Sequence, residues 1–346
     1  MTTNQQRVLV TGGSGFIAGH CILQLLDQGY LVRTTVRSPQ RERVVRAVLA
    51  DAGMVRGDAL SFVAADLTGD AGWAEAVSGC DFVLHVASPV HLGKVKRDDD
   101  VVVPARDGTL RVLRAARDAG VKRVVLTSAF HAVGFGHPHT DRTFTEDDWS
   151  VLDGPGVDAY GRSKILAERA AWDFMAAEGG ATQLTTILPV AVMGPVLGKD
   201  VSGANHIVRR ILDGQLPGYP NLWIPIVDVR DVAHAHVLAM TAPGAQGQRF
   251  LLAGGPSIAM RQIGAILKTH LGDAAGRVPT RGIPDAVVRI AAVFSAEFRP
   301  VAADLNFVKK VSTDKARRVL GWRARPPEEA VVASADSLIA RSLVRR

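Results

Sequence analysis

Three residues set the chemistry to be explained. Tyr160 and Lys164 stand four apart in Tyr160-Gly161-Arg162-Ser163-Lys164, so a helix would carry both on one face. Upstream, Ser128 ends a β-branched apolar run, Val124-Val125-Leu126-Thr127-Ser128. A hydroxyl, a phenol and an ammonium suit carbonyl reduction, in which an oxygen gains negative charge as hydride arrives and needs a proton. A free phenol is too weak an acid for that task. Bringing it from about 10 to about 7 takes roughly 4 kcal/mol of differential stabilisation. The Lys164 ammonium and the cationic ring of an oxidised nicotinamide are expected to supply it, with Ser128 orienting the carbonyl oxygen. In isolation the Tyr–Lys spacing would read as an exposed helix pair, so a second motif has to decide.

That motif opens the chain. Arg7–Val10 reads as a strand, and Thr11-Gly12-Gly13-Ser14-Gly15-Phe16-Ile17-Ala18-Gly19 as a turn entering a helix over Gly15–Gln28. Gly12 permits the tight turn, and Gly15 lets the backbone approach a pyrophosphate at the helix N-terminus. Ala18 takes the third glycine position, where only close helix–strand packing is required. The next strand, Leu31–Val36, is followed by Arg37, where an NAD site would place Asp or Glu. A guanidinium there pairs a 2′-phosphate, assisted by Arg41 or Arg43, so the expected cofactor is NADP(H). The cofactor candidates are Thr11, Gly12, Ser14, Gly15, Phe16, Ile17 and Arg37. Strand ends add Asp66, Leu67, Ala87, Ser88 and Thr127, beside Tyr160 and Lys164 themselves.

These residues must be positioned by a regular scaffold. Helical patterns over about 39–52, 101–119 and 158–177 alternate with strand patterns at Phe62–Ala65, Phe82–Ala87, Arg123–Thr127 and Thr185–Leu188. That alternation predicts an α/β fold with a doubly wound, Rossmann-type parallel sheet. Between 130 and 157 the pattern loosens into a loop suited to substrate contacts. The division expected is a cofactor domain over 1–190 with a return segment at about 226–253, and a smaller substrate lobe from 191–225 and 254–346. Phe130, Val133, Phe135, Met193 and Trp223 are the candidates for an apolar substrate pocket.

Composition narrows the class. The 346 residues are 47% hydrophobic and 22% charged with a net charge of +7, a globular balance with no disordered tract. The basic excess is scattered, without a lysine block or interleaved aromatics, which argues against nucleic acid as a partner. Cys21 and Cys80 form no metal-ligand pattern and read as buried thiols in a reducing compartment. The N-terminus reads as no signal peptide. The uncharged stretch from 179 to 198 is broken by Pro189 and Pro195, so no membrane segment is expected. His137 and His139 flank a proline, and His234 and His236 lie two apart on a helix, a spacing unsuited to chelation, so no metal is expected. Asp98-Asp99-Asp100 and Glu146-Asp147-Asp148 read as solvated helix-start residues. A cytoplasmic protein, monomeric or homodimeric, is the expectation.

Taken together, the sequence resembles an extended short-chain dehydrogenase/reductase of the dihydroflavonol reductase, cinnamoyl-CoA reductase and yeast-type aldehyde (methylglyoxal) reductase branch. The resemblance rests on Thr11 through His20, including Ala18, and on Asp81-Phe82-Val83-Leu84-His85-Val86-Ala87-Ser88-Pro89. It extends through Leu126-Thr127-Ser128-Ala129, Tyr160 to Lys164 with Ala167-Glu168, Val227 to Ala233, and Ser312 to Ala316 with Leu320-Gly321-Trp322. It implies an enzyme that transfers hydride from NADPH to an aldehyde or ketone, with Lys164 also holding the nicotinamide ribose. Pro189 and Val192 would lie along the nicotinamide. One departure stands out: Val133 falls near the position where plant dihydroflavonol reductases carry an Asn that reads flavonoid hydroxyls. A nucleotide-sugar epimerase, a hydroxysteroid-type dehydrogenase and a non-enzymatic NADP-sensing protein are the alternatives. The first would favour an acid at Arg37, and the last usually loses the Tyr or Lys.

Overall fold

The computed structural model describes residues 6–89, 97–295 and 298–345. Its first half alternates as β1 (Arg7–Val10), α1 (Phe16–Asp27), β2 (Leu31–Val36), α2 (Arg41–Asp51), β3 (Leu60–Ala64), α3 (Trp73–Val77), β4 (Phe82–His85), α4 (Asp99–Asp118) and β5 (Arg123–Thr127). After the short β6 (Thr143–Phe144), α5 (Ala159–Glu178) leads into β7 (Gln183–Pro189). Then come β8 (Ala191–Met193), α6 (Asn205–Leu212), β9 (Trp223–Ile224), β10 (Ile226–Asp228), α7 (Val229–Thr241) and β11 (Gln248–Leu252). The chain finishes through β12 (Ile258–Ala259), α8 (Met260–Leu271), α9 (Asp285–Phe294), α10 (Arg299–Ala303), β13 (Lys310–Val311), α11 (Asp314–Leu320) and α12 (Pro327–Ala340).

Seven strands make one sheet in the order β11-β7-β5-β4-β1-β2-β3, and every pairing in it is parallel. The strand order reverses between β1 and β4, and parallel sheets bind ligands at the carboxyl ends beside such a reversal. Alternation along β1 shows how the layers form. Val8 and Val10 join Ile22, Leu25 and Val232 in one core, while Leu9 faces Val112, Leu113 and Phe174 in the other. Successive side chains of a strand point to opposite faces, so buried strands need apolar residues at every position. A third core unites Met193, Val208, Ile211, Ile263, Leu267 and Leu338, all from segments after β7.

Several boundaries differ from the sequence reading. The fourth strand ends at His85 because the amides of Val86 and Ala87 turn to Thr11 Oγ1, at 3.0 and 2.9 Å, instead of continuing the ladder. The third strand starts two residues earlier than expected. The five-residue α3 carries no periodic signal, and burial of Trp73 is what holds it. β11 went unread as a strand, yet it forms the sheet's outer edge against β7. Within the expected loop over 130–157, β6 pairs with β13 and ties the loop to the C-terminal segment.

Candidate active site

The glycine turn is shaped by sterics. Gly12 has φ +73°, and a Cβ there would meet the Ala87 Cβ at 3.0 Å. Only glycine adopts that conformation without cost. Gly15 N–H closes the turn onto Gly12 O at 2.8 Å. Gly12, Ser14, Gly15, Phe16 and Ile17 line a long crevice at the carboxyl edge of the sheet, with Arg37, Asp66, Leu67, Ala87, Ser88, Thr127, Pro189 and Val192. Thr11 does not line it. Its side chain is fully buried and serves the turn from behind, holding the Val86 and Ala87 amides and lying 2.9 Å from His85 Nδ1. With both oxygen lone pairs taken, the Thr11 proton goes to Nδ1, so the neutral His85 carries its own proton on Nε2. Burial pushes His85 down to about 3.

Arg37, Arg41 and Arg43 also line the crevice and form no ion pair with any described residue. Guanidinium groups just after β2 and at the start of α2, beside a turn that a Cβ would block, fit a nucleotide bearing a 2′-phosphate. Asp66 Oδ1 accepts the backbone and hydroxyl hydrogens of Thr68, which hold its carboxyl below the usual range.

At the other end of the crevice, α5 presents Tyr160 and Lys164. Its first turn is capped by Asp158, whose side chain accepts from Gly161 N at 2.7 Å. Lys164 Nζ donates to Ser88 Oγ at 3.1 Å and lies 5.7 Å from the centre of the Tyr160 ring. Burial pushes Lys164 down to about 8, partly opposed by Glu168. Tyr160 stays 43% exposed where it lines the crevice, and crowding by surrounding protein atoms first, then the Asp158 carboxylate, pushes its phenol up to about 12.

Ser128 lines the crevice too, but its Oγ donates to Glu168 Oε2 at 2.6 Å. Glu168 is buried and accepts further hydrogen bonds from Thr186 Oγ1 at 2.9 Å and Arg249 Nε at 2.8 Å. Arg249 in turn donates to the carbonyls of Glu146 and Asp148. Residues upstream and downstream of α5 thus converge on one carboxylate. The Ala167-Glu168 pair was part of the resemblance, but nothing in its spacing marks Glu168 as the partner of Ser128.

Of the five pocket candidates, Phe130, Phe135 and Trp223 line the crevice. Val133 and Met193 do not. Both are fully buried, Val133 in the main core and Met193 in the third, because their side chains point away from the cleft into the packing behind it. Among the wall residues that sequence reasoning missed are His131, Asp304 and Lys309. His131 stacks on Phe135 at 4.2 Å and meets Tyr160 edge-on at 5.0 Å, and burial pushes it down to about 4. Asp98, Asp99 and Asp100 are exposed at the start of α4, in line with the sequence reading. Asp98 pairs with Arg162 of α5 at 3.1 Å. Glu146 reads differently: it is buried and accepts the Leu251 amide at 3.0 Å instead of facing solvent.

Among the described residues no helix is long and apolar enough to cross a membrane. Comparison with known proteins agrees with the geometry. Ketoreductase azaE of Aspergillus niger is 36% identical over 301 residues, covering 81% of this chain and 87% of the relative. Cinnamoyl-CoA reductase 1 of Arabidopsis thaliana is 38% identical over 250 residues, covering 71% and 70%. Among solved structures, Gre2 of Candida albicans in complex with NADPH superimposes with a TM-score of 0.80 at 27% identity, covering 97% and 99%. Residues 8–253 match the NAD dependent epimerase/dehydratase family, and the chain belongs to that family, as an extended short-chain dehydrogenase/reductase.

Proposed function

We propose that this chain is an NADPH-dependent reductase of small aldehydes or ketones in which Tyr160 supplies the proton. The observation that carries the reading is convergence: Ser128, Tyr160 and Lys164 line the same crevice as the Gly12–Gly15 turn and Arg37. Arg37 would hold the 2′-phosphate, the turn the pyrophosphate, and Pro189 and Val192 the nicotinamide face. NADPH, when bound, supplies the hydride and, once oxidised, a positive charge near the phenol.

The remaining work belongs to the side chains. Crowding by protein atoms and the Asp158 carboxylate raise the Tyr160 phenol, which favours its keeping the proton until an oxygen beside it becomes a strong base. Lys164 retains its charge below about pH 8 and stabilises the phenolate left behind. Ser128 keeps its proton on Glu168 while the substrate carbonyl is neutral, because a carboxylate is the better acceptor. A forming alkoxide competes with that carboxylate, whose charge Arg249 already offsets, and draws the serine proton across. Such a bond is made only as charge develops, which is where it accelerates the reaction. The cofactor domain would comprise 1–190 and 226–253, with 191–225 and 254–346 forming the lobe that closes the substrate end.

The test is turnover of NADPH, followed at 340 nm, against a panel of aldehydes and ketones. Tyr160→Phe should lose about 10²–10⁴-fold in kcat while binding NADPH as before. Full activity in that variant, or tight NADPH binding with no turnover of any carbonyl by the unaltered protein, overturns the reading.

A further inference from the structure

The substrate end of the crevice contains a charge pair that the reaction itself does not require. Lys309 lies 5% exposed, its Nζ 2.6 Å from Asp304 Oδ1, and both residues line the crevice. The ammonium also sits 4.5 Å from the centre of the Phe135 ring and 4.7 Å from that of Phe307. One carboxylate oxygen and two π faces therefore surround it. Asp304 differs from its partner. Its side chain keeps 32% of its surface open, and no described residue donates to its Oδ2. The pair thus turns its cation inward and offers the crevice a carboxylate oxygen.

The placement relative to Tyr160 gives that oxygen a role. Tyr160, His131, Phe135 and Lys309 follow one another along a single wall, each in ring or cation contact with the next. A carbonyl compound with its reacting oxygen at Tyr160 and its body against His131 and Phe135 has its far end directed at Asp304. Burying the Lys309 ammonium is costly, and a hydrophobic replacement of the same shape often serves stability as well or better. Its presence in a substrate wall calls for a reason other than stability.

We propose that Asp304, paired with Lys309, is a specificity-determining residue that accepts a hydrogen bond from a hydroxyl at the far end of the substrate and repels substrates ending in a carboxylate. This inference rests on the reductase reading above. A carboxylate oxygen is an acceptor only, so a hydroxyl satisfies it, a bare hydrocarbon leaves it unpaired, and a second carboxylate meets like charge.

The experiment compares kcat/KM for matched aromatic aldehydes bearing a terminal hydroxyl, hydrogen or carboxylate, on a one-ring body (4-substituted benzaldehydes) and a two-ring body (4′-substituted biphenyl-4-carbaldehydes). On the better-fitting body the unaltered protein should favour hydroxyl over carboxylate at least about tenfold. Asp304→Asn, nearly isosteric, should bring that ratio to within about twofold, and Asp304→Ser provides the same reading if the amide packs poorly against Lys309. Each ratio is internal to one protein, so partial loss of folded material does not move it. A ratio near one in the unaltered protein, or an unchanged ratio in either variant, overturns the proposal. Failure of the unaltered protein to reduce any of these aldehydes, or any on the wider panel, sinks the reductase reading instead.

Discussion

Lys164 and Ser128 each make a kinetic signature follow from local geometry. Burial has moved the Lys164 ammonium down to about 8. Reduction should therefore decline as pH rises through about 8, where the charge that stabilises the phenolate disappears. A kcat/KM profile flat from pH 7 to 9.5 would show that some other group holds that charge. For Ser128 the bond to Glu168 matters. If the serine serves the substrate only as negative charge develops, Ser128→Ala lowers kcat by about 10²–10³ and leaves KM nearly unchanged. A raised KM at unaltered kcat would instead mark a ground-state contact and exclude the transfer of the serine's bond from Glu168 to substrate. At the cofactor end, Arg37→Asp should shift preference from NADPH toward NADH, measured as the ratio of the two kcat/KM values. An unchanged ratio would assign the phosphate to Arg41 or Arg43.

At the scale of the element, α5 carries Tyr160 and Lys164, and its first turn depends on Asp158. The cap satisfies an amide that the helix itself cannot, so Asp158→Ala should cost about 1 kcal/mol in urea unfolding. Asp158→Asn keeps most of the cap, since Asn ranks with Asp at this position. It removes, however, a carboxylate that raises the Tyr160 phenol. The phenol of that variant should titrate lower, read at 295 nm as the difference from a Tyr160→Phe background. Coincident titrations would mean that crowding alone sets the phenol. The same helix carries Glu168 one turn beyond Lys164, on the face that looks back at β5 and β7. One element thereby places the phenol, the ammonium and the anchor of the serine in a single rigid frame.

Across the whole molecule, buried histidines couple the fold to pH, and two of them lie deepest. His85 beside β1 and His236 on α7 are 1% and 0% exposed, and burial pushes them down to about 3 and about 4 from 6.5. The unfolded chain binds protons at these sites that the folded protein refuses. Their contribution to stability is present in full above about 6.5 and is lost as pH falls toward 4. Two such protons give a slope of about 2.7 kcal/mol per pH unit in that window. His236→Gln should flatten the urea-unfolding stability curve between pH 6.5 and 4 by one proton. A slope identical to that of the unaltered protein would assign the acid sensitivity to other groups.

Local patterns determined a good deal of this protein by themselves. The strand–glycine–helix opening, the alternating elements and the Tyr160–Lys164 spacing each depend on residues near in sequence, and period and turn chemistry are local properties. Arg37 in place of an acid is equally local, being one residue at one strand end. What only the tertiary structure decided depends on contacts across long stretches of chain. Ser128 meets Glu168 forty residues on, and Arg249 reaches the same carboxylate from β11. Lys309 and Asp304 reach the wall of His131 only because β13 pairs with β6. Val133 and Met193 are apolar like Phe130 and Trp223, and nothing in their type separates a wall residue from a core residue. That distinction lies in the direction of a side chain relative to a cleft, and a cleft exists only once distant segments have packed.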